Sequence, residues 1–188
     1  LFCLSDSIQE IFTSVRGEFS ARRYFDGRDA RSDLYPEEQV SVIDEFTSGS
    51  PEETMQLGQE LAESLEPGDV LALSGELGSG KTTFVQGLAK GLGVAEFVNS
   101  PTFKIVNELE GRMLLYHLDF YRINSEDELI NLGIDHYLFG PGAVVIEWAD
   151  RYPRFIPDDA FRIGIECPSE TTRMISINRP VHRESVSD

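Results

Sequence analysis

The residues best suited to chemistry form one short run, Gly75-Glu76-Leu77-Gly78-Ser79-Gly80-Lys81-Thr82-Thr83. Its two outer glycines followed by Lys-Thr fit the phosphate-binding loop pattern. Glycines let the chain turn sharply, and they let backbone N–H groups approach a phosphate without obstruction by side chains. The pattern predicts Lys81 at the outer phosphates of a nucleotide. It also predicts the Thr82 hydroxyl at a Mg²⁺ that bridges them, beside the positive end of the following helix.

The segments around this run have the order that a phosphate-binding loop requires. Residues 69–74 are apolar enough for a buried strand, and residues 82–92 have the pattern of a helix that ends at glycines. A glycine-rich turn that matched by accident would not need a strand before it and a helix after it. We therefore interpret residues 75–83 as a nucleotide-binding loop.

Two further strands are predicted to deliver a carboxylate at their C-terminal ends, where ligands of open α/β sheets collect. Residues 113–119 end in Asp119, and residues 143–148 carry Glu147. Asp119 is the first candidate for a carboxylate beside the Mg²⁺ or its waters. For Glu147 three roles remain open: a Mg²⁺ ligand through water, a base that orients the attacking water, or a carboxylate with only a local partner.

Four other side chains are candidates on position alone. Thr102 follows Pro101 in the loop after the helix, where it is either a sensor of the terminal phosphate or an ordinary turn residue. His117 shares a strand face with Asp119, and we expect a hydrogen-bonded structural group there. Trp148, the only tryptophan, is a stacking surface or core packing. Arg173, at the start of the last strand, is placed to reach a nucleotide or a partner.

Charge and cysteine usage limit the classes of partner and compartment. The formal net charge of −17 disfavours direct binding to nucleic acid or an anionic membrane, so any RNA connection should run through a partner protein. Cys3 and Cys167 are far apart and predict neither a metal site nor a disulfide framework, which favours the cytoplasm. No apolar run approaches the roughly twenty residues of a membrane span.

The chain is long enough for one domain and an appendage. We expect an N-terminal extension over residues 1–40, partly disordered, with a short amphipathic helix over 6–19. A nucleotide-binding domain over 41–180 and a flexible tail over 181–188 follow. The domain is predicted to be a three-layer α/β sandwich of the phosphate-loop NTPase type, with a mostly parallel central sheet, an antiparallel portion and helices on both faces.

Within that domain the sequence predicts further elements. A first strand over 40–46 leads to a helix capped at Ser50, and a second capped helix runs from Ser125 to Leu132. A hairpin joins residues 103–108 to 112–120 through a turn at 109–111. Residues 161–166 and 174–178 alternate like two antiparallel edge strands.

Five segments in unbroken order resemble the TsaE (YjeE) family of small bacterial ATPases. They are the loop at 75–83, Ser-Pro-Thr-Phe at 100–103, His-Leu-Asp-Phe-Tyr-Arg at 117–122, Leu-Gly-Ile-Asp at 132–135 and Ile-Glu-Trp-Ala-Asp at 146–150. The resemblance covers roughly residues 44–180. It implies an ATP-dependent component of the machinery that makes threonylcarbamoyladenosine in tRNA, one that binds a TsaB–TsaD assembly and contacts tRNA only indirectly.

The resemblance also implies residue roles. Lys81 would hold the phosphates of ATP, Thr82 and Glu147 would be Mg²⁺ ligands, and Asp119 would assist hydrolysis beside the metal. Thr102 would lie in a switch-like loop, and residues 47–54 on the adenine side. No arginine finger is evident in the sequence, so hydrolysis by the chain alone should be slow.

Two alternatives remain, a small-molecule kinase and a nucleotide-gated binding module. A small-molecule phosphate-loop kinase usually carries an arginine-rich lid, and no such cluster follows residue 31. A GTPase is disfavoured because no Asn-Lys-x-Asp segment is present. A nucleotide-gated binding module, in which turnover is incidental, is compatible with the same motifs.

Overall fold

The computed structural model describes residues 42–179. Within this range lie seven strands, β1 (Val42–Ser48), β2 (Val70–Ser74), β3 (Val106–Glu110), β4 (Leu114–Asp119), β5 (Ala143–Glu147), β6 (Phe161–Glu166) and β7 (Arg173–Arg179), and four α-helices, α1 (Pro51–Ala62), α2 (Lys81–Gly91), α3 (Glu126–Leu132) and α4 (Ile134–Leu138). The predicted helix over 6–19 and the predicted tail over 181–188 fall outside the described residues.

All seven strands form one sheet in the order β1-β7-β6-β2-β5-β4-β3. The four central strands, β6, β2, β5 and β4, are parallel, and the other three run antiparallel to their neighbours. This confirms the predicted α/β class with a parallel centre and an antiparallel portion. The loop at 75–83 leaves the C-terminal end of β2, in the middle of the parallel region.

Alternate residues of β2 are buried on opposite faces of the sheet. Leu71 and Leu73 belong to a core cluster shared with α1 and α2. Val70 and Ala72 belong to a second cluster shared with α3 and α4. Because both faces of the strand are covered, it reads as a continuous apolar run. Helices on both faces, as predicted, make the domain a three-layer sandwich.

Two helices begin where their capping residues predict. The Ser50 side chain accepts a hydrogen bond from the Glu53 N–H, and Pro51 occupies the first turn of α1. The Ser125 side chain accepts from the Glu128 N–H at the start of α3. These caps satisfy backbone donors that a helix start leaves free.

The predicted hairpin exists, but its first strand and its turn were placed too early. Val106 begins β3, whereas residue 103 was expected to begin it. The preceding chain is folded into a turn in which the Lys104 and Ile105 N–H groups both donate to the Pro101 carbonyl. Ile105 has φ 69°, which an extended strand does not allow. Leu109 pairs with a residue of β4, so the reversal follows β3 and does not include Leu109.

The predicted edge position of β6 and β7 is wrong, although their antiparallel pairing is confirmed. β6 also pairs with β2, and β7 also pairs with β1, so β1 and β3 are the edge strands of the described sheet. Alternation of apolar and polar residues indicates a strand with one less covered face. It carries no information about which neighbours complete the ladder.

Helices α1 and α2 approach so closely that their backbones are in contact. A Cβ atom at Gly58 would collide with the Phe84 carbonyl, and one at Gly87 with the Met55 carbonyl. At Gly91 the nearest atom, the Gln59 carbonyl oxygen, would lie 2.6 Å away. We call this contact the glycine seam. Among the described helices, none has the length and apolarity that a membrane span requires.

Candidate functional site

The loop between β2 and α2 depends on glycines for its course. Gly75, Gly78 and Gly80 have φ values of 143°, 79° and 105°, which L-residues with side chains rarely adopt. A Cβ on Gly75 would in addition collide with the Ile165 carbonyl of the neighbouring strand. The loop therefore passes close to the sheet edge and turns back into α2.

The other predicted loop residues lie in the same segment. Ser79 is buried, whereas Leu77 is exposed at the tip of the loop. The Ser79 N–H donates to the Glu76 carbonyl. Thr83 belongs to the first turn of α2, directly after Thr82.

Lys81 turns back into the loop. Its Nζ donates to the Gly75 carbonyl at 2.7 Å and to the Glu76 carbonyl at 2.8 Å. The Trp148 ring covers the ammonium, with 3.8 Å between Nζ and the ring centroid. Burial lowers the pKa of Lys81, and nearby carboxylates, Glu147 first among them, oppose that shift. The loop therefore holds a cation that is largely removed from water.

Glu147 connects the loop helix to the sheet. The Thr82 hydroxyl donates to Glu147 at 2.9 Å from Oε1 and 3.0 Å from Oε2. His117 Nε2 lies 2.9 Å from Glu147 Oε1 and, facing a carboxylate, carries the proton of that bond. His117 is completely buried, and its Nδ1 has no hydrogen-bond partner among the described residues. The predicted structural, hydrogen-bonded histidine is thus found on the carboxylate of the site.

Asp119 fastens the loop that contains Thr102 to the sheet. Its Oδ2 lies 2.6 Å from the Thr102 hydroxyl and 2.5 Å from the Ser100 hydroxyl, and its Oδ1 accepts from the Tyr121 N–H at 2.9 Å. Sequence reasoning missed Ser100. Its signals were its place before Pro101, two residues from a candidate hydroxyl, and its inclusion in the Ser-Pro-Thr-Phe segment at 100–103. The two hydroxyls and the carboxylate form one polar cluster.

The sheet register brings the two carboxylates together. Asp119 is the direct partner of Glu147 in the β4–β5 ladder, and Glu147 is in turn the partner of Leu73 in β2. Both acidic residues therefore lie at the C-terminal edge, beside the loop. Two carboxylates and the Thr82 hydroxyl are hard oxygen donors that fit Mg²⁺, which proteins usually bind through one or two carboxylates together with phosphates.

Arg173 reaches the loop from β7, but its partners are main-chain atoms. Nε donates to the Ser79 carbonyl at 2.9 Å, and one terminal nitrogen donates to the Gly78 carbonyl at 3.4 Å. The other terminal nitrogen contacts carbonyls of the turn before β7, those of Ser169, Glu170 and Thr172. Sequence reasoning named this residue without finding these contacts.

Comparison with known proteins agrees with this geometry. The family model "Threonylcarbamoyl adenosine biosynthesis protein TsaE" matches residues 48–175, which include every site residue described above. The chain belongs to the TsaE family. The resemblance seen in five sequence segments is thereby confirmed.

Individual members of the TsaE family match over most of the domain. A Bacillus subtilis protein described as tRNA threonylcarbamoyladenosine biosynthesis protein TsaE is 44% identical over 128 residues, covering 68% of this chain and 80% of the relative. A Nostoc protein of the same description is 47% identical over 144 residues, covering 72% and 88%. The crystal structure of Bacillus subtilis YdiB superposes with a TM-score of 0.66 at 33% identity, covering 77% of this chain and 90% of that one.

Trp148 separates the TsaE-type loop from a shallow neighbouring cavity. Its ring packs on Tyr121 with 4.9 Å between centroids, and its backbone is left-handed with φ 60°. The cavity, about 700 Å³, is lined by Tyr121, Arg122, Asn124, Trp148, Asp150 and Arg151. Trp148 therefore stacks on Lys81 and Tyr121 and also packs against the second core cluster, so both roles that the sequence left open are present.

Trp148 should report nucleotide binding by its fluorescence. Because it is the only tryptophan and covers the Lys81 ammonium, drawing Lys81 towards phosphates is expected to change its emission. A titration with Mg·ATP should give a saturable change that is absent in Trp148→Phe. Binding by calorimetry with no change in emission would contradict this placement of the ring.

Proposed function

We propose that this TsaE-family protein binds Mg·ATP in the loop at residues 75–83 and hydrolyses it slowly. In this proposal it serves as an accessory protein for threonylcarbamoyladenosine modification of tRNA and acts on a TsaB–TsaD complex. The observation that carries the proposal is the convergence of Lys81, Thr82, Glu147 and Asp119 at one edge of the sheet. Family membership supports the pathway, and the TsaB–TsaD partner is what the resemblance of the sequence segments implies.

Binding follows from the loop and its lysine. The phosphates of ATP attract the partly desolvated Lys81 ammonium, which exchanges carbonyl partners for charged phosphate oxygens. The N-terminal end of α2 adds its partial positive charge at the same place. Thr82, Glu147 and Asp119 would hold the Mg²⁺, and Mg²⁺ neutralises the charge of the phosphates when it is bound.

Hydrolysis needs a positioned water and a nearby carboxylate. Glu147 is buried and is already fixed in direction by Thr82 and His117, so it suits either a metal ligand or a base towards water. Asp119 is held by Ser100 and Thr102, and in this proposal the loop of Thr102 would lie near the terminal phosphate. A change at the phosphates would therefore reach that loop through two hydroxyl contacts.

Slow turnover follows from the use of Arg173. Arg173 contacts the phosphate-binding loop, and all its hydrogen-bond partners among the described residues are main-chain carbonyls. In this proposal Arg173 keeps these carbonyl partners when ATP binds and does not serve the terminal phosphate, where an arginine is worth orders of magnitude in rate. The strongly negative net charge agrees with tRNA being held by partner proteins.

Steady-state ATP hydrolysis by the purified chain, with and without a bacterial TsaB–TsaD complex, tests the proposal. We expect slow turnover alone, together with an association with the complex that depends on ATP. The variant Lys90→Ala, which changes an exposed side chain, serves as a control that should behave like the parent chain. No association, combined with turnover that appears only when small-molecule acceptors are added, would favour a kinase and overturn the proposal.

A further inference from the structure

Arg173 links three parts of the molecule through one side chain. It belongs to β7, its guanidinium donates to the turn at residues 169–172, and it donates to the carbonyls of Gly78 and Ser79 in the phosphate-binding loop. The guanidinium is planar and presents its donors in fixed directions, so these contacts constrain the direction of the carbonyls that receive them.

The contact with the Ser79 carbonyl has a direct effect on the next N–H group. In a planar trans peptide the C=O of one residue and the N–H of the next point in opposite directions. Holding the Ser79 carbonyl towards Arg173, at 2.9 Å from Nε, therefore directs the Gly80 N–H away from Arg173. Gly80 has φ 105° and caps α2, with its carbonyl accepting from the Phe84 N–H, so the Ser79–Gly80 peptide lies directly before the helix.

The strand that carries Arg173 does not need this side chain for its own stability. β7 is paired on one side with β1 and on the other with β6. On the same strand, Arg179 makes an ion pair with Asp44, with 3.2 Å between the charged atoms, and has no contact with the loop. Comparing variants of Arg173 and Arg179 therefore distinguishes an effect on the loop from an effect on the strand.

We propose that Arg173 is a positioning residue that holds the Ser79–Gly80 peptide with its N–H directed at a bound phosphate. The inference rests on the proposed binding of ATP in this loop. The arginine acts through the backbone of the loop. It also places a positive charge beside the loop in a chain whose net charge is negative. It does not touch the reacting atoms.

The test compares Arg173→Gln, Arg173→Lys and the control Arg179→Gln with the parent chain. Calorimetry gives the affinity for Mg·ATP, thermal unfolding gives the stability, and the ¹⁵N–¹H resonance of Gly80 reports its hydrogen bond. We expect Arg173→Gln to weaken ATP binding about tenfold, the size of one lost charge-assisted hydrogen bond. The ATP affinity of Arg173→Lys should lie between those of the parent and Arg173→Gln. An ammonium keeps the positive charge but lacks the planar set of donors of a guanidinium.

The outcomes separate this inference from the function on which it rests. If the parent chain does not bind ATP, the proposed function fails. If the parent and Arg179→Gln bind ATP, an unchanged affinity in Arg173→Gln overturns the positioning role. An equal loss of affinity and of unfolding temperature in both glutamine variants overturns it as well. If the inference is correct, ATP shifts the Gly80 amide resonance in the parent and in Arg179→Gln. The same resonance must shift less in Arg173→Gln. If that variant does not fold, parent-like affinity and Gly80 shift in Arg173→Lys overturn the role.

Discussion

Replacing Lys81 with alanine should weaken Mg·ATP binding by about two orders of magnitude, because hydrogen bonds to charged groups are the strong ones. The loop already places this ammonium against the Gly75 and Glu76 carbonyls, away from bulk water. In that environment its attraction for phosphate is screened less than at the surface. The loop backbone remains after the substitution, so the loss of ATP affinity measures the contribution of the Lys81 ammonium. Calorimetry checks it, because the Trp148 fluorescence signal itself depends on Lys81.

Lys90→Ala is the matched control for this experiment. Lys90 lies on the same helix as Lys81 but in its last turn, with an exposed side chain. Its removal deletes the same charge from the chain without touching the loop. ATP affinity should stay within about twofold of the parent, as expected for an exposed charge. Unchanged affinity in Lys81→Ala would refute the assignment of the site.

Glu147→Gln should slow ATP hydrolysis by a factor of about 10² to 10³, the usual contribution of a positioned acid or base. The amide keeps an oxygen that accepts from Thr82 and His117, so the local packing is preserved. What it loses is the negative charge that a Mg²⁺ or an attacking water would require. ATP affinity measured without Mg²⁺ should change far less than the rate. Single-turnover hydrolysis at saturating Mg·ATP measures the effect.

Glu110→Gln is the corresponding control, since Glu110 ends β3 with an exposed side chain on the edge strand. Its rate should match that of the parent. A Glu147→Gln protein that cannot hydrolyse ATP but still supports repeated rounds of tRNA modification would favour the nucleotide-gated module. Equal losses of rate and of Mg²⁺-free affinity would point to a structural role for Glu147.

The parts of the fold that depend on local pattern were accessible from the sequence. Some patterns predict their structure from a few neighbouring residues. These are the glycines of the loop, the capping serines 50 and 125, and the apolar strands that end in Asp119 and Glu147. The position of the two carboxylates beside the loop also followed, because parallel strands share one C-terminal edge.

The parts that depend on distant pairing were not accessible. The pairing of β1 with β7 joins segments at opposite ends of the described chain, and alternation alone made β7 an edge strand. The left-handed backbone of Ile105 could not be predicted from its residue type, because isoleucine normally favours extended backbone. Ser100 and Arg173 were underestimated because their partners, Asp119 and the loop carbonyls, come near only in the folded sheet.

The glycine seam has a mechanical consequence for a protein that responds to nucleotide. Side chains that interdigitate between helices can change rotamer and let the helices slide, but backbone in contact with backbone has no such freedom. Helix α2, which carries the phosphate-binding loop, and α1, which begins at the proposed adenine side, are therefore expected to move as one rigid body. A hinge would have to lie elsewhere. The segment from Ser100 to Ile105, fastened to the sheet through hydroxyl contacts with Asp119, is the part best suited to act as one.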